Sequence, residues 1–206
     1  MTSNVTLLGI VGGSASGKTC LAEEIARQHA GSGTYVLSED DYYVDAGNMP
    51  GFDPKRFNFD EPASKDHDLL LAHLEALKSG QPIEAPLYDF TTHCRREETQ
   101  FLTPAPLVVI EGLHLLSSTA ISHVLDLSVF VDADRDVRFQ RRLTRDVAER
   151  GRQPDFVKHQ FETLVDPMHV AHVEPQKVQA DLIIENMGAP DFTQLAEPVL
   201  ARLKDQ

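Results

Sequence analysis

Tryptophan is absent, and cysteine nearly so: Cys20 and Cys94 are the two thiols in 206 residues. They lie far apart and form no C-x-x-C pair. That excludes a disulfide framework and fits a reducing cytoplasm. Basic residues are in short supply, with 19 lysines and arginines against 32 acids and a formal net charge of −13. A nucleic-acid polymer is therefore not an expected partner. Long apolar runs are missing too. Nothing reaches the length of a membrane span, and residues 1–11 lack both a basic n-region and an apolar run long enough for a signal peptide. The expectation is a cytoplasmic protein with no membrane partner. There is no internal repeat and no low-complexity segment. At this length one domain over 1–206 is expected, large enough for a proper core.

What is present begins with one stretch. Gly12, Gly13, Ser14, Ala15, Ser16, Gly17, Lys18 and Thr19 fit G-x-x-x-x-G-K-[ST], the phosphate-binding loop. Its flanks are also right. Val5–Val11 reads as a buried strand, and Leu21 and Ile25 give the next segment a helical stripe. The glycines let backbone N–H groups turn toward an anion, and a helix starting near Gly17 adds its positive dipole end. Lys18 suits the β- and γ-phosphates, and the Thr19 hydroxyl suits Mg²⁺. The loop implies a nucleoside triphosphate, without saying what is done with it.

Four further apolar runs follow: Tyr35–Leu37, Leu107–Ile110, Leu127–Val131 and Leu182–Ile184. Several lack alternation, as strands covered on both faces do. Helical patterns between them predict an α/β fold, a five-stranded parallel sheet flanked by helices. No core strand is evident from Ser38 to Pro106. That gap is too long for a plain connection, so it reads as an excursion with a task.

The excursion opens with Ser38, Glu39, Asp40, Asp41, Tyr42 and Tyr43 at the carboxyl end of the second strand, where α/β sheets bind ligands. Asp40 or Asp41 is placed to orient an acceptor hydroxyl, take its proton, or hold Mg²⁺ through water. Phe52, Phe57 and Phe59 need a packing partner. A helix is expected near Lys65–Ser79 with Leu70, Leu71, Leu74 and Leu77 inward, Gly80 as C-cap, and His67 and His73 at the surface. Tyr88, Phe90 and His93 then cluster, which suits either a planar ligand or a small satellite core.

Glu111 closes an apolar strand, and behind a phosphate loop it is the leading Mg²⁺ ligand. Seven of the twelve arginines fall between Arg135 and Arg152. On a helix, Arg138, Arg142 and Arg145 share one face, and Phe139, Leu143 and Val147 share another. The helix is expected to pack by the apolar side and present guanidiniums on the other, as a phosphate clamp. Arg150, Gly151 and Arg152 supply a hinge for a lid. Beyond it, Phe156, Phe161, Leu164 and Val165 form a stripe that Pro167 should interrupt. His169 and His172 have no third metal ligand nearby in sequence.

Taken in order, the phosphate loop, S-x-D-D-Y-Y, N-F-D, P-x-Y-D-F-x-x-H-x-R-x-E-E-T, V-V-I-E-G and R-R-x-x-R-D-x-x-E-R-G-R resemble the uridine (uridine–cytidine) kinase family from about Val5 to Asn186. The resemblance implies a phosphate-loop kinase with a β-rich nucleoside-binding excursion (about 41–103) and an arginine lid (about 135–155). It implies transfer of the γ-phosphoryl of ATP or GTP to the 5′-hydroxyl of uridine or cytidine, with Mg²⁺ held by Thr19, Glu111 and Asp40. Asp40 matches the catalytic aspartate, aided by Lys18 and Arg142. Asp60 matches the ribose ligand, with Gln160 and Tyr43 nearby. Tyr88 and His93 match the pair reading the pyrimidine edge, flanked by Phe59 and Phe90. Arg142, Arg145, Arg150 and Arg152 match the lid arginines on the triphosphate, Arg142 and Arg152 foremost. A homo-oligomer, often a tetramer, is implied as well. Asp41 departs from the small polar residue usual after the catalytic aspartate. The alternative is a related kinase acting on ribulose 5-phosphate or pantothenate, which the aromatic cluster argues against. A nucleotide switch would need N-K-x-D, and none is present.

Overall fold

The computed structural model describes residues 5–29, 33–54 and 56–204. Seven strands appear there: Thr6–Gly12 (β1), Tyr35–Ser38 (β2), Ile83–Asp89 (β3), Cys94–Leu102 (β4), Leu107–Gly112 (β5), Leu127–Asp132 (β6) and Leu182–Glu185 (β7). Five of them form a parallel sheet in the order β2-β5-β1-β6-β7, with β1 at the centre. β3 and β4 pair separately as an antiparallel hairpin.

The central strands are buried on both faces, which is why their sequences show no alternation. Alternate residues still go to opposite sides. Leu7, Val11, Val108 and Ile110 join one core with Leu70, Leu74 and Leu77 of helix α2 (His67–Lys78). Leu8, Ile10 and Val109 join the other with Leu21 and Ile25 of α1 (Lys18–Gln28) and with Ala196 and Val199 of the closing helix Phe192–Lys204. A short helix, α3 (Thr119–Val124), lies between β5 and β6. Among the described residues no helix is long and apolar enough to cross a membrane.

Three expectations need correction. The arginine helix α4 (Arg135–Ala148) buries Arg138, Arg142 and Asp146 most deeply; on its apolar stripe Leu143 and Phe139, which packs on Phe161, are half-buried and Val147 is exposed. The reason is charge pairing: Arg142 meets Asp146 on the same face and Arg138 meets Asp166 of the following helical run, so the guanidiniums can be desolvated. Pro167 does not end the helical run that starts with α5 (Pro154–Gln160). Wider π-turns at Phe161–Val165 and His169–Val173 flank it, and the chain stays helical through Gln179. Such turns relax the i to i−4 ladder that a proline cannot join. His67 and His73 are not surface residues. His67 Nε2 pairs with the buried Glu39 at 2.8 Å, and His73 Nδ1 lies 2.8 Å from the Tyr42 hydroxyl.

Candidate active site

Strand register places the first groups. Ser38 lies beside Glu111, and Val11 beside Gly112, so β1, β2 and β5 end together. The phosphate loop rises from β1. Ser16 N donates to Gly13 O at 3.0 Å, and Gly17 caps α1 in the left-handed region at φ 98°. Asn186 Nδ2, just past β7, donates to Ser16 O at 2.7 Å, and Arg141 reaches the same carbonyl at 3.3 Å. The loop is thus held from the far side of the sheet as well.

Glu111 sits at the floor of the loop. Thr19 Oγ1 donates to its Oε2 at 3.2 Å, Ser38 Oγ donates to its Oε1 at 2.8 Å, and Lys18 Nζ lies 3.7 Å away. A hydroxyl and a carboxylate side by side are hard oxygen donors and suit Mg²⁺. Among the described residues no group of three or more His, Cys, Asp or Glu could hold a metal alone, so phosphate or water oxygens would have to complete such a shell. His169 and His172 do not join these donors, although the His169 ring lies against Gly13 of the loop. His169 Nε2 pairs with Glu174 at 3.1 Å, and the His172 ring meets His114.

After β2 the chain makes a single 3₁₀ turn, Glu39–Tyr42, with Ser38 Oγ accepting from Asp40 N. The turn sends its three acids in different directions. Glu39 goes inward and accepts from Leu113 N at 2.7 Å and His114 N at 3.0 Å. Asp40 faces the phosphate loop and takes Lys65 Nζ at 2.5 Å. Burial acts to raise the Asp40 pKa, but the ammoniums of Lys65 and Lys18 hold it down at about 2. Asp41 turns toward the hairpin, near Tyr88 N, and burial raises its pKa. The two carboxylates are therefore chemically distinct.

Asp60 lies across the cleft. Its carboxylate takes no hydrogen bond from the described residues, and burial raises its pKa while Arg142 opposes that. Its carbonyl accepts His114 Nε2 at 3.0 Å. Beside it, Tyr43 touches Phe59, Tyr88 and Phe90, with ring centroids 5.2–6.4 Å apart. His93, at φ 58°, stacks on Phe59 at 4.7 Å. Phe52 and Phe57 pack behind Phe59. The Tyr88 hydroxyl is buried with no partner, the signature of a polar atom awaiting a ligand.

The arginines of α4 and of the turn after it form the opposite wall. Arg142 Nη1 donates to Ser14 Oγ at 2.7 Å, and its Nη2 to Gln160 Oε1 at 3.0 Å; Arg152 shares that amide oxygen at 3.2 Å. Asp146, wholly buried, gathers Arg145 at 2.9 Å, Arg152 at 3.0 Å, Arg142 at 3.6 Å and Arg150 at 3.7 Å. The structure thus brings Lys18, Thr19, Ser38 and Glu111 together, and likewise Ser14, Arg142, Arg152 and Gln160. It sets Asp40 against Lys65, which also meets Tyr43, while Asp41 turns away to the hairpin. Lys65 was missed; Asp146, readable in the sequence as a salt-bridge partner of the helix arginines, gathers four arginines. Lys65 reads as a surface residue of a helix start, and only the fold turns it inward.

A model of the phosphoribulokinase/uridine kinase family matches residues 7–193. The chain belongs to that family. Among the members it is similar to, the uridine kinase of Deinococcus deserti is 44% identical over 190 residues, covering 91% of this chain and 92% of the relative. The uridine kinase of Brevibacillus brevis is 40% identical over 185 residues, covering 90% and 86%. The fold also matches the phosphoribulokinase of Rhodobacter spheroides, with a TM-score of 0.64 at 16% identity over 95% of this chain and 75% of that one.

Proposed function

We propose that the chain is a nucleoside kinase that transfers the γ-phosphoryl of ATP or GTP to the 5′-hydroxyl of uridine or cytidine, giving UMP or CMP. One observation carries this reading: a phosphate loop, a strand-end carboxylate and an aromatic pocket meet in one cleft. Identity of 40–44% to proteins named uridine kinase supports it.

The division of labour follows from the geometry. Residues Gly12–Thr19 take the triphosphate, with Lys18 and Arg142 neutralising charge on the transferring group. Thr19 and Glu111 would hold Mg²⁺, which when bound supplies further charge neutralisation at the phosphates. Asp40 orients the acceptor hydroxyl and receives its proton. Asp60 takes the ribose hydroxyls, since two donors suit one unpartnered carboxylate. Tyr88 and His93 read the base edge beside Phe59 and Phe90. Imidazole both donates and accepts, so it tolerates the O4 of uracil or the amino group of cytosine. Arg145, Arg150, Arg152 and Gln160 close the lid and exclude water. Phosphoribulokinase belongs to the same family, but the aromatic cluster of Tyr43, Phe59, Tyr88 and Phe90 favours a planar base over a sugar phosphate, and Lys65 has no exposed side-chain surface with which to meet one.

The test is Mg²⁺-dependent ATP consumption with uridine, cytidine, adenosine, ribulose 5-phosphate and pantothenate in turn. Turnover is expected with uridine, cytidine or both, and not in Lys18→Ala. Turnover of a sugar phosphate with none of any nucleoside would sink the assignment.

A further inference from the structure

Lys65 is a cation with no water to face. Its side chain has no exposed surface, and no role assigned above uses it. An ammonium is costly to bury unless it is paired. Here Nζ donates to Asp40 Oδ1 at 2.5 Å and lies 3.0 Å from the centroid of the Tyr43 ring. The backbone fixes the other end. Lys65 forms an isolated antiparallel bridge with Tyr43, and its N–H donates to Pro62 O at 3.0 Å.

The contact is one-sided. Oδ2 of Asp40 takes no hydrogen bond from the described residues, and the Asp40 side chain stays 44% exposed toward the cleft. Lys18 and Arg150 add positive charge at Asp40 from the phosphate loop and the lid. Glu39, beneath, feels the Lys65 charge but makes no hydrogen bond to it among the described residues: its oxygens are taken by Leu113 N, His114 N and His67.

We propose, on the reading of Asp40 as the acceptor-facing carboxylate, that Lys65 is a positioning residue: it clamps Asp40 through Oδ1 and so aims Oδ2 at the acceptor hydroxyl. An unclamped aspartate has two soft torsions and two equivalent oxygens. An ion pair from a rigid wall selects one of them. Phosphoryl transfer depends on such placement, because it asks of the protein mainly alignment and charge. Tyr43 couples the clamp to the base pocket, since its ring carries the ammonium while touching Phe59, Tyr88 and Phe90.

The experiment is steady-state kinetics with uridine and ATP on the full chain, comparing Lys65→Met, Lys65→Arg, Asp40→Asn and the Asp40→Asn/Lys65→Met double variant. Lys65→Met should lower kcat by about ten- to a hundredfold, with KM for ATP within about twofold of wild type. Lys65→Arg should recover the larger part. The double variant should be no slower than Asp40→Asn, because the clamp then has nothing to hold. Wild-type kcat in Lys65→Met beside an inactive Asp40→Asn overturns the clamp alone. So does a Lys65→Met loss repeated in full in the Asp40→Asn background. Full activity in Asp40→Asn overturns the reading of Asp40 and the clamp with it. If Lys65→Met does not fold, Lys65→Gln takes its place, and wild-type kcat there is equally fatal.

Discussion

At the scale of single residues, the site depends on positions where one atom decides the outcome. Gly17 caps α1 at φ 98°, and a Cβ there would stand 2.5 Å from Asn186 Nδ2, the group that holds Ser16 O. Gly17→Ala therefore meets backbone strain of about 1–2 kcal/mol and displaces a tether of the phosphate loop. Thermal melts should fall by about 2–8 °C, and ATP binding by calorimetry should be lost. Gly51, also left-handed at φ 76°, faces open space. Gly51→Ala should leave ATP binding unchanged, and equal losses in both variants would refute the role of the Asn186 tether. Much of this scale was legible in the sequence. Lys18, Thr19, Asp40 and Glu111 stand where the motif spacing puts them because strand ends and a glycine-rich turn are local devices. Lys65 was not legible, since its partner Asp40 is 25 positions away.

At the scale of elements, the arginine helix differs most from its sequence. Its apolar stripe invites packing, yet Arg138, Arg142 and Asp146 form the buried face. Four guanidiniums surround the one Asp146 carboxylate. Burial would raise its pKa, but the arginines hold it down. The local excess of positive charge is what a triphosphate would meet. Asp146→Asn keeps the volume and removes the counter-charge, so the arginines should repel one another and spread. The KM for ATP should rise about tenfold, the ~1.4 kcal/mol of one charge-assisted hydrogen bond, with the nucleoside KM unaffected. An unchanged ATP KM would mean that the arginines keep their places without it. Periodicity alone put the guanidiniums outward, because it ranks residues by polarity; it does not show that Asp146 on the same face and Asp166, 28 positions from Arg138, let them be buried.

At the scale of the whole molecule, the excursion is joined to the sheet through buried polar groups, and these set a pH dependence. His114 is wholly buried, and burial pushes its pKa down to about 4. Its Nε2 must carry the proton, since it donates to the carbonyl of Asp60. In the unfolded chain a histidine titrates near 6.5, so between those values the unfolded state binds more protons. Stability is thus full above about pH 6.5 and falls as pH drops toward 4. From pH 7 to pH 5 this group should cost about 2 kcal/mol. Urea unfolding at the two pH values should show that loss, and His114→Leu should remove it; an equal loss in the variant would assign the slope to other groups. The sequence by itself determined the five strands, the phosphate loop and the order of the motifs, because these rest on short-range periodicity and fixed spacing. Motif spacing favoured Asp40 over Asp41; only the tertiary structure decided which face of the arginine helix is buried most deeply, and that Lys65 stands behind Asp40. Those depend on charges far apart in the chain meeting where water is excluded, and no local pattern encodes that.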